Sequence, residues 1–94
     1  MSTILETIIQ FQTARNWRGY HTPRNLACSI MIEAAELLEN YQWGDEGADM
    51  ENVKEELADI LIYAYTLAHE LNLDIETIMR DKIAKNAIKY PEPH

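Results

Sequence analysis

Two short acidic segments have the residue types and spacing for metal or acid–base chemistry. Glu33-Ala34-Ala35-Glu36 and Glu56-Leu57-Ala58-Asp59 each carry a carboxylate pair at i and i+3. On a helix, each pair lies on one face, one turn apart. At about 100° per residue, with the first acid at zero, the second acid falls near −60° in both segments. Ile30, Leu37 and Tyr41 then fall at about 40–80° from Glu33, and Val53, Ile60, Ala64 and Leu67 at about 20–80° from Glu56. Both pairs flank an apolar stripe on the same side by the same offset. Antiparallel helices related by a twofold axis normal to their common plane would bring both pairs to one side. Parallel helices would separate them. Four converging carboxylates repel unless they are protonated or bridged by cations. All-oxygen ligands select hard ions, here Mg²⁺ with Mn²⁺ as the alternative. The competing reading is a solvated acidic face, and it suits Glu39, Glu46, Glu51 and Glu55. Di-iron bundles place a His three residues after a Glu; here those positions hold Glu36 and Asp59.

A second group lies near the C-terminus. Lys82, Asn86 and Lys89 fall within about 60° of one another on a helical wheel, with Tyr90 next. In an acidic chain this strip is placed to meet an anion such as phosphate. Alternatively, a lysine near a helix C-terminus complements the dipole, the better reading for Lys89 taken alone. Trp17, Tyr20, His21, Asn25 and Trp43 gather at expected helix ends. Rings there can stack a nucleobase while His21 and Asn25 read its edge. Core packing is the competing reading, preferred for Tyr41 and Tyr65. His69 and His94 are given no role.

The elements that must position these groups are helices. Thr3 and Glu6 form a capping-box pattern, and helix 1 is expected from about Thr3 to Trp17, with Leu5, Ile8, Ile9 and Phe11 at helical spacing. Thr22-Pro23 starts helix 2, expected to about Tyr41. Gly44 and Gly47, with Asp45 and Glu46, mark a loop. Asp49 caps helix 3, expected to about Leu71 with Val53, Leu57, Ile60, Leu61, Ala64 and Leu67 inside. Asp74 caps helix 4, which carries Ile75, Ile78, Met79 and Ile83 and ends at Tyr90-Pro91. No repeat, linker or low-complexity segment interrupts this plan. The expected fold is all-α: a four-helix antiparallel bundle. Helix 3 also carries Ile62, Tyr63 and Tyr65, so its circumference is largely apolar or aromatic. That predicts burial against a second copy, and the bundle is expected to be completed by homo-oligomerisation.

Composition bounds the rest. Ninety-four residues make one small domain, taken as 1–94. Three Gly and three Pro supply little turn chemistry for an all-β fold. Eight basic against sixteen acidic residues give a net charge of −8, which disfavours binding a nucleic-acid polymer through its phosphates. A phosphate ligand would need added positive charge, and a divalent metal is the obvious supplier. The single cysteine, Cys28, excludes an internal disulfide and a cysteine-only zinc site. No apolar run reaches membrane-span length and no signal peptide is visible, so the expected location is the cytoplasm, without membrane attachment.

Taken together these segments resemble the MazG-like all-α nucleoside triphosphate pyrophosphohydrolases, nearest the compact dCTP pyrophosphatase branch. The resembling stretches are Phe11 to Trp17 (FQTARNW), His21 to Leu26 (HTPRNL), Ile32 to Trp43 (IEAAELLENYQW), Glu55 to Tyr63 (EELADILIY) and Lys82 to Pro91 (KIAKNAIKYP). The ExxE…ExxD pattern alone is moderately specific; with HTPRN, QW and KxxxN…KYP in the same order it is strong. The resemblance implies cleavage of a nucleoside triphosphate between the α- and β-phosphates, releasing pyrophosphate and a monophosphate. By the same resemblance Glu33, Glu36, Glu56 and Asp59 are Mg²⁺ ligands; the chemistry also needs a general base, for which a glutamate not fully engaged by metal, Glu33 or Glu36, is the candidate. Lys82 and Asn86 match the phosphate strip, which Tyr90 closes. His21, Asn25, Trp43 and Tyr63, with Trp17, match the base and sugar pocket. Tyr63 falls near −20° on the Glu56 wheel, beside the acidic pair, as a pocket-facing residue should. Ala14 departs from the pattern, since the branch often has an acid before Arg15, and the loop after Trp43 is short. The implied role is house-cleaning of unwanted deoxynucleotides, in a homo-oligomer that is a dimer or a tetramer. Two other readings stand beside it: a non-catalytic acidic helical dimer that binds a partner protein, and the same scaffold acting on dUTP or a phosphoribosyl-ATP-like substrate.

Overall fold

Each of the four helices in the computed structural model, which describes residues 3–93, starts on a side-chain cap. His94, given no role by the sequence, lies outside the described residues. Helix α1 is Ile4–Ala14, α2 Pro23–Glu39, α3 Met50–Glu70 and α4 Ile75–Lys89. The Thr3 hydroxyl accepts the Glu6 N–H at 3.1 Å, and the Thr22 hydroxyl accepts the Asn25 N–H at 3.1 Å, with Pro23 opening α2. Asp49 accepts the N–H groups of Glu51 and Asn52, and Asp74 accepts the Thr77 N–H and the Thr77 hydroxyl. Each bond from a backbone N–H satisfies an orphan donor of a first turn. No strand occurs among the described residues.

Two helices end on the same device. Asn16 and Asn72 adopt left-handed backbone, with φ of 57° and 56°. After α1, the Trp17 N–H bonds Gln12 O and the Asn16 N–H bonds Thr13 O; after α3, Leu73 bonds Ala68 O and Asn72 bonds His69 O. These are Schellman closures with asparagine in the usual glycine position. They correct the expected end of helix 1: the helix stops at Ala14, and Trp17 begins a separate 3-10 turn, Arg18–Tyr20. Helix 2 likewise stops at Glu39 rather than Tyr41.

Helices α2 and α3 form the main packed pair. Asn52 meets Asn40, Glu56 meets Glu36, and Tyr63 meets Ser29. Position falls along α2 as it rises along α3, so the two run antiparallel. Helix α1 lies against α3 and contributes Ile8 to a small core with Leu26 and Ala68. An ion pair between Arg18 and Glu70 ties the 3-10 turn to the end of α3.

The four helices do not close a bundle within one chain. No residue of α4 is buried. Leu57 and Leu61, expected inside, are 48% and 50% exposed. On the α3 wheel they fall at about 100–140° from Glu56, off the stripe of Val53, Ile60, Ala64 and Leu67. The radius of gyration is 16.2 Å, against about 12 Å for a compact chain of this length. No helix among the described residues is long and apolar enough to cross a membrane.

Candidate functional site

The antiparallel pairing of α2 and α3 brings the two acidic segments together. Glu33, Glu56 and Asp59 each offer a carboxylate oxygen within 4.8 Å of the others. Glu36 stands outside this group of three but in contact with Glu56. The Glu36 carboxyl is held above its ordinary value, first by contact with the Glu56 carboxyl and then by its charge. Glu56 is raised too, first by the adjoining Glu33 carboxyl and then by loss of solvent. Its Oε2 is shielded from water and has no hydrogen-bond partner among the described residues. A shielded, unpartnered carboxylate oxygen among like charges is costly. A hard divalent cation shared by Glu33, Glu56 and Asp59 relieves that cost, so the residues present fit such an ion.

Asp59 also borders a cavity of about 540 Å³ between α1 and α3. Phe11, Gln12, Trp17, His21 and Tyr63 line it, with Ile8 and Ile62 as aliphatic wall. The Phe11 and Trp17 rings meet edge to face, centroids 5.4 Å apart. The Arg15 guanidinium covers the Phe11 ring at 3.6 Å and donates to Phe11 O. The Schellman turn at Asn16 thus places Trp17 where continued helix would not. Tyr63 keeps its proton to higher pH than usual, first through burial and then through the charges of Glu33 and Asp59. Its hydroxyl is a donor at the junction of cavity and acidic cluster. His21 is half-buried, and its Nδ1 has no partner among the described residues.

The other expected site residues are placed apart. Asn25 Nδ2 donates to Tyr20 O at 3.0 Å, so the side chain holds the turn before α2 and is not part of the cavity wall. Trp43, in the α2–α3 loop, is 93% exposed. Lys82, Asn86 and Lys89 lie on α4, and Lys89 Nζ sits 5.4 Å from the Tyr90 ring centroid. Among the described residues no ion pair joins Lys82 or Lys89 to the acidic cluster. Sequence reasoning missed Gln12, Thr66 and Ser29. Gln12 follows Ile8 by one turn on the apolar face of α1, and a polar residue on a buried stripe was the available signal.

The MazG-like family matches residues 28–94 of the chain. The human dCTP pyrophosphatase 1 is 32% identical across 87% of this chain, and the mouse protein of that name is 31% identical across the same share. The chain spans about half the length of these curated relatives, 54% of each. The crystal structure of a pyrophosphatase from Archaeoglobus fulgidus superimposes with a TM-score of 0.83 at 40% identity, covering 95% of this chain and 90% of that one.

Proposed function

The chain belongs to the MazG-like family, and from that premise we propose that residues 1–94 form one nucleotide pyrophosphohydrolase domain. The reaction is hydrolysis of a nucleoside triphosphate to the monophosphate and pyrophosphate, with dCTP or a related deoxynucleotide preferred. One observation carries the reading: a carboxylate cluster fit for a hard cation adjoins an aromatic-lined cavity at Asp59. Related proteins named as dCTP pyrophosphatases support the substrate class.

In this reading Glu33, Glu56 and Asp59 hold the cation, taken as Mg²⁺. When bound, it screens the triphosphate from the acidic wall and polarises the phosphoryl group under attack. Glu36, outside the group of three, is the carboxylate left to take a proton from the attacking water. The water oxygen bonds to the α-phosphorus, the bond to the α–β bridging oxygen breaks, and pyrophosphate leaves. Trp17, His21 and Tyr63 enclose the base and sugar. Lys82, Asn86 and Tyr90, held apart from the cluster in a single chain, are assigned to the phosphates once α4 is packed in the completed bundle, with Lys89 as a secondary charge.

Because α4 is unpartnered in one chain, we assign completion of the bundle to a second copy, in a dimer or tetramer. The accessible surface is 7750 Å², against about 5,600 Å² for a compact monomer of this mass. The excess is of the size an obligate interface covers on one partner. A protein-binding module would leave the cavity beside the carboxylates without a use.

The test is product analysis. Hydrolysis of dCTP in ¹⁸O-water is expected to give labelled dCMP and unlabelled pyrophosphate. Appearance of dCDP and inorganic phosphate would overturn the reading.

A further inference from the structure

Trp17 immediately precedes the 3-10 turn Arg18–Tyr20 and His21 immediately follows it, and both line the cavity beside Asp59. The two are held differently. The Trp17 N–H closes α1 on Gln12 O at 3.0 Å, so that helix fixes its backbone. His21 lies beyond the turn in non-helical backbone, with φ −92° and ψ 61°, and its N–H bonds Arg18 O at 3.1 Å. The placement of His21 therefore depends on what holds the turn.

The turn holds itself weakly. It buries no residue and has no side-chain cap, and a Cβ on Gly19 would meet nothing within 4 Å. So short a 3-10 segment has few hydrogen bonds of its own. Side chains tie it down at both ends. Asn25 Nδ2, on α2, donates to Tyr20 O at 3.0 Å. Arg18 pairs with Glu70, the last residue of α3. Their side chains are 34% and 22% exposed, so the pair is partly desolvated. Arg18 Nε is shielded from water and has no partner among the described residues, which leaves Glu70 as the acceptor that anchors the guanidinium. An unbroken path thus runs from the Glu70 carboxylate through the Arg18 guanidinium and the Arg18 carbonyl to the His21 N–H.

We infer that Arg18 and Glu70 are positioning residues: their ion pair sets His21 on the cavity wall, and through His21 the affinity for a nucleobase. The inference deepens the proposed function and rests on reading the cavity as the base pocket. Neither Arg18 nor Glu70 lines that cavity, so each acts through another residue. Glu70 stands about 16 Å along α3 beyond Asp59 by helix rise, so removing it leaves the carboxylate cluster in place. Its loss therefore falls on binding of the base and not on the chemical step.

The test is a double-mutant cycle on dCMP binding by calorimetry, with steady-state kinetics on dCTP in parallel. Glu70→Met and Arg18→Met, which keep much of each stem and remove the pair, are made in the wild type and in His21→Ala. In the wild type each is expected to weaken dCMP by roughly three- to fivefold, the scale of a partly exposed ion pair. KM for dCTP should rise in step while kcat stays nearly unchanged. In the His21→Ala background neither should weaken dCMP further. A merely structural pair would weaken dCMP equally in both backgrounds, or lower kcat through loss of active protein, and either result overturns the inference. So does a wild type that binds no dCMP, or one whose affinity neither variant changes. If Arg18→Met does not fold, Glu70→Met decides. If His21→Ala binds too weakly to complete the cycle, the His21 ring signals in NMR spectra of the free protein decide: they are expected to move in Glu70→Met, and unmoved signals overturn the inference. A coupled cycle without pyrophosphate release from dCTP would sink the hydrolase reading and leave the positioning role standing. Release with an additive cycle would do the reverse.

Discussion

Glu56 Oε2 is shielded from water without a donor, while the Glu56 and Glu36 carboxyls are both pushed above their ordinary value of 4.5. For an acid whose folded value is raised, the stabilising contribution is fully present below the unfolded value and is lost as pH rises through the folded one. Without metal, these two groups therefore make the fold less stable as pH climbs above about 4.5. Asp74 runs the other way. Its carboxyl is lowered, first by the Thr77 hydroxyl and then by the Thr77 N–H, so its contribution persists above its unfolded value and fades as pH falls through the lowered one. Thermal melts of the metal-free protein are expected to show Glu56→Gln melting higher than wild type at pH 7. Added Mg²⁺ should raise the wild-type melting temperature at pH 7, less so toward pH 4.5, and leave Glu56→Gln unmoved. A wild-type melt indifferent to Mg²⁺ would count against the ligand assignment. For catalysis, Glu36→Gln is expected to cost about 10²–10⁴ in kcat, the usual worth of a positioned base, with a smaller change in KM. Steady-state kinetics on dCTP decide this, and a near-wild-type kcat would remove Glu36 from the role.

The caps at Thr3, Thr22, Asp49 and Asp74 were legible because they are local: a short polar side chain beside an apolar period. The convergence of the acidic segments was legible too, because equal offsets from two apolar stripes survive any antiparallel packing. The end of α1 was not. Asn16 closes it in left-handed backbone, and an asparagine carries a weaker stop signal than a glycine. Gln12 was passed over for a different reason: its value lies in a bond to Thr66, 54 positions away, which periodicity does not encode. The closures yield their own prediction. A β-branched residue in left-handed backbone costs roughly 1–2 kcal/mol, so Asn72→Val should lower the denaturation free energy by about that amount, while Asn72→Gly should hold or raise it. Urea titrations of the two variants make the comparison, and equal stabilities would mean that the turn re-forms without the left-handed residue.

With three buried apolar side chains among the described residues, Ile8, Leu26 and Ala68, the chain has little core of its own. Leu57, Leu61, Met79, Ile83 and Ile88 are all about half exposed or more. The sequence pointed to that unsatisfied surface through the apolar circumference of α3, but not to its extent, because whether α4 folds back is a tertiary outcome. Sedimentation is expected to give a mass of at least twice 10.9 kDa. Ile83→Asp should shift the protein toward monomer and lower its melting temperature by more than a typical surface substitution does. A stable monomer at micromolar concentration would mean that α4 needs no partner.

The most direct test of the central claim is pyrophosphate release from a panel of canonical and modified NTPs and dNTPs, with and without Mg²⁺. The account predicts metal-dependent release with the monophosphate as co-product, fastest on a cytosine deoxynucleotide. No release from any triphosphate, by protein shown to be folded and oligomeric, would contradict it and leave the clustered carboxylates as a site without this chemistry.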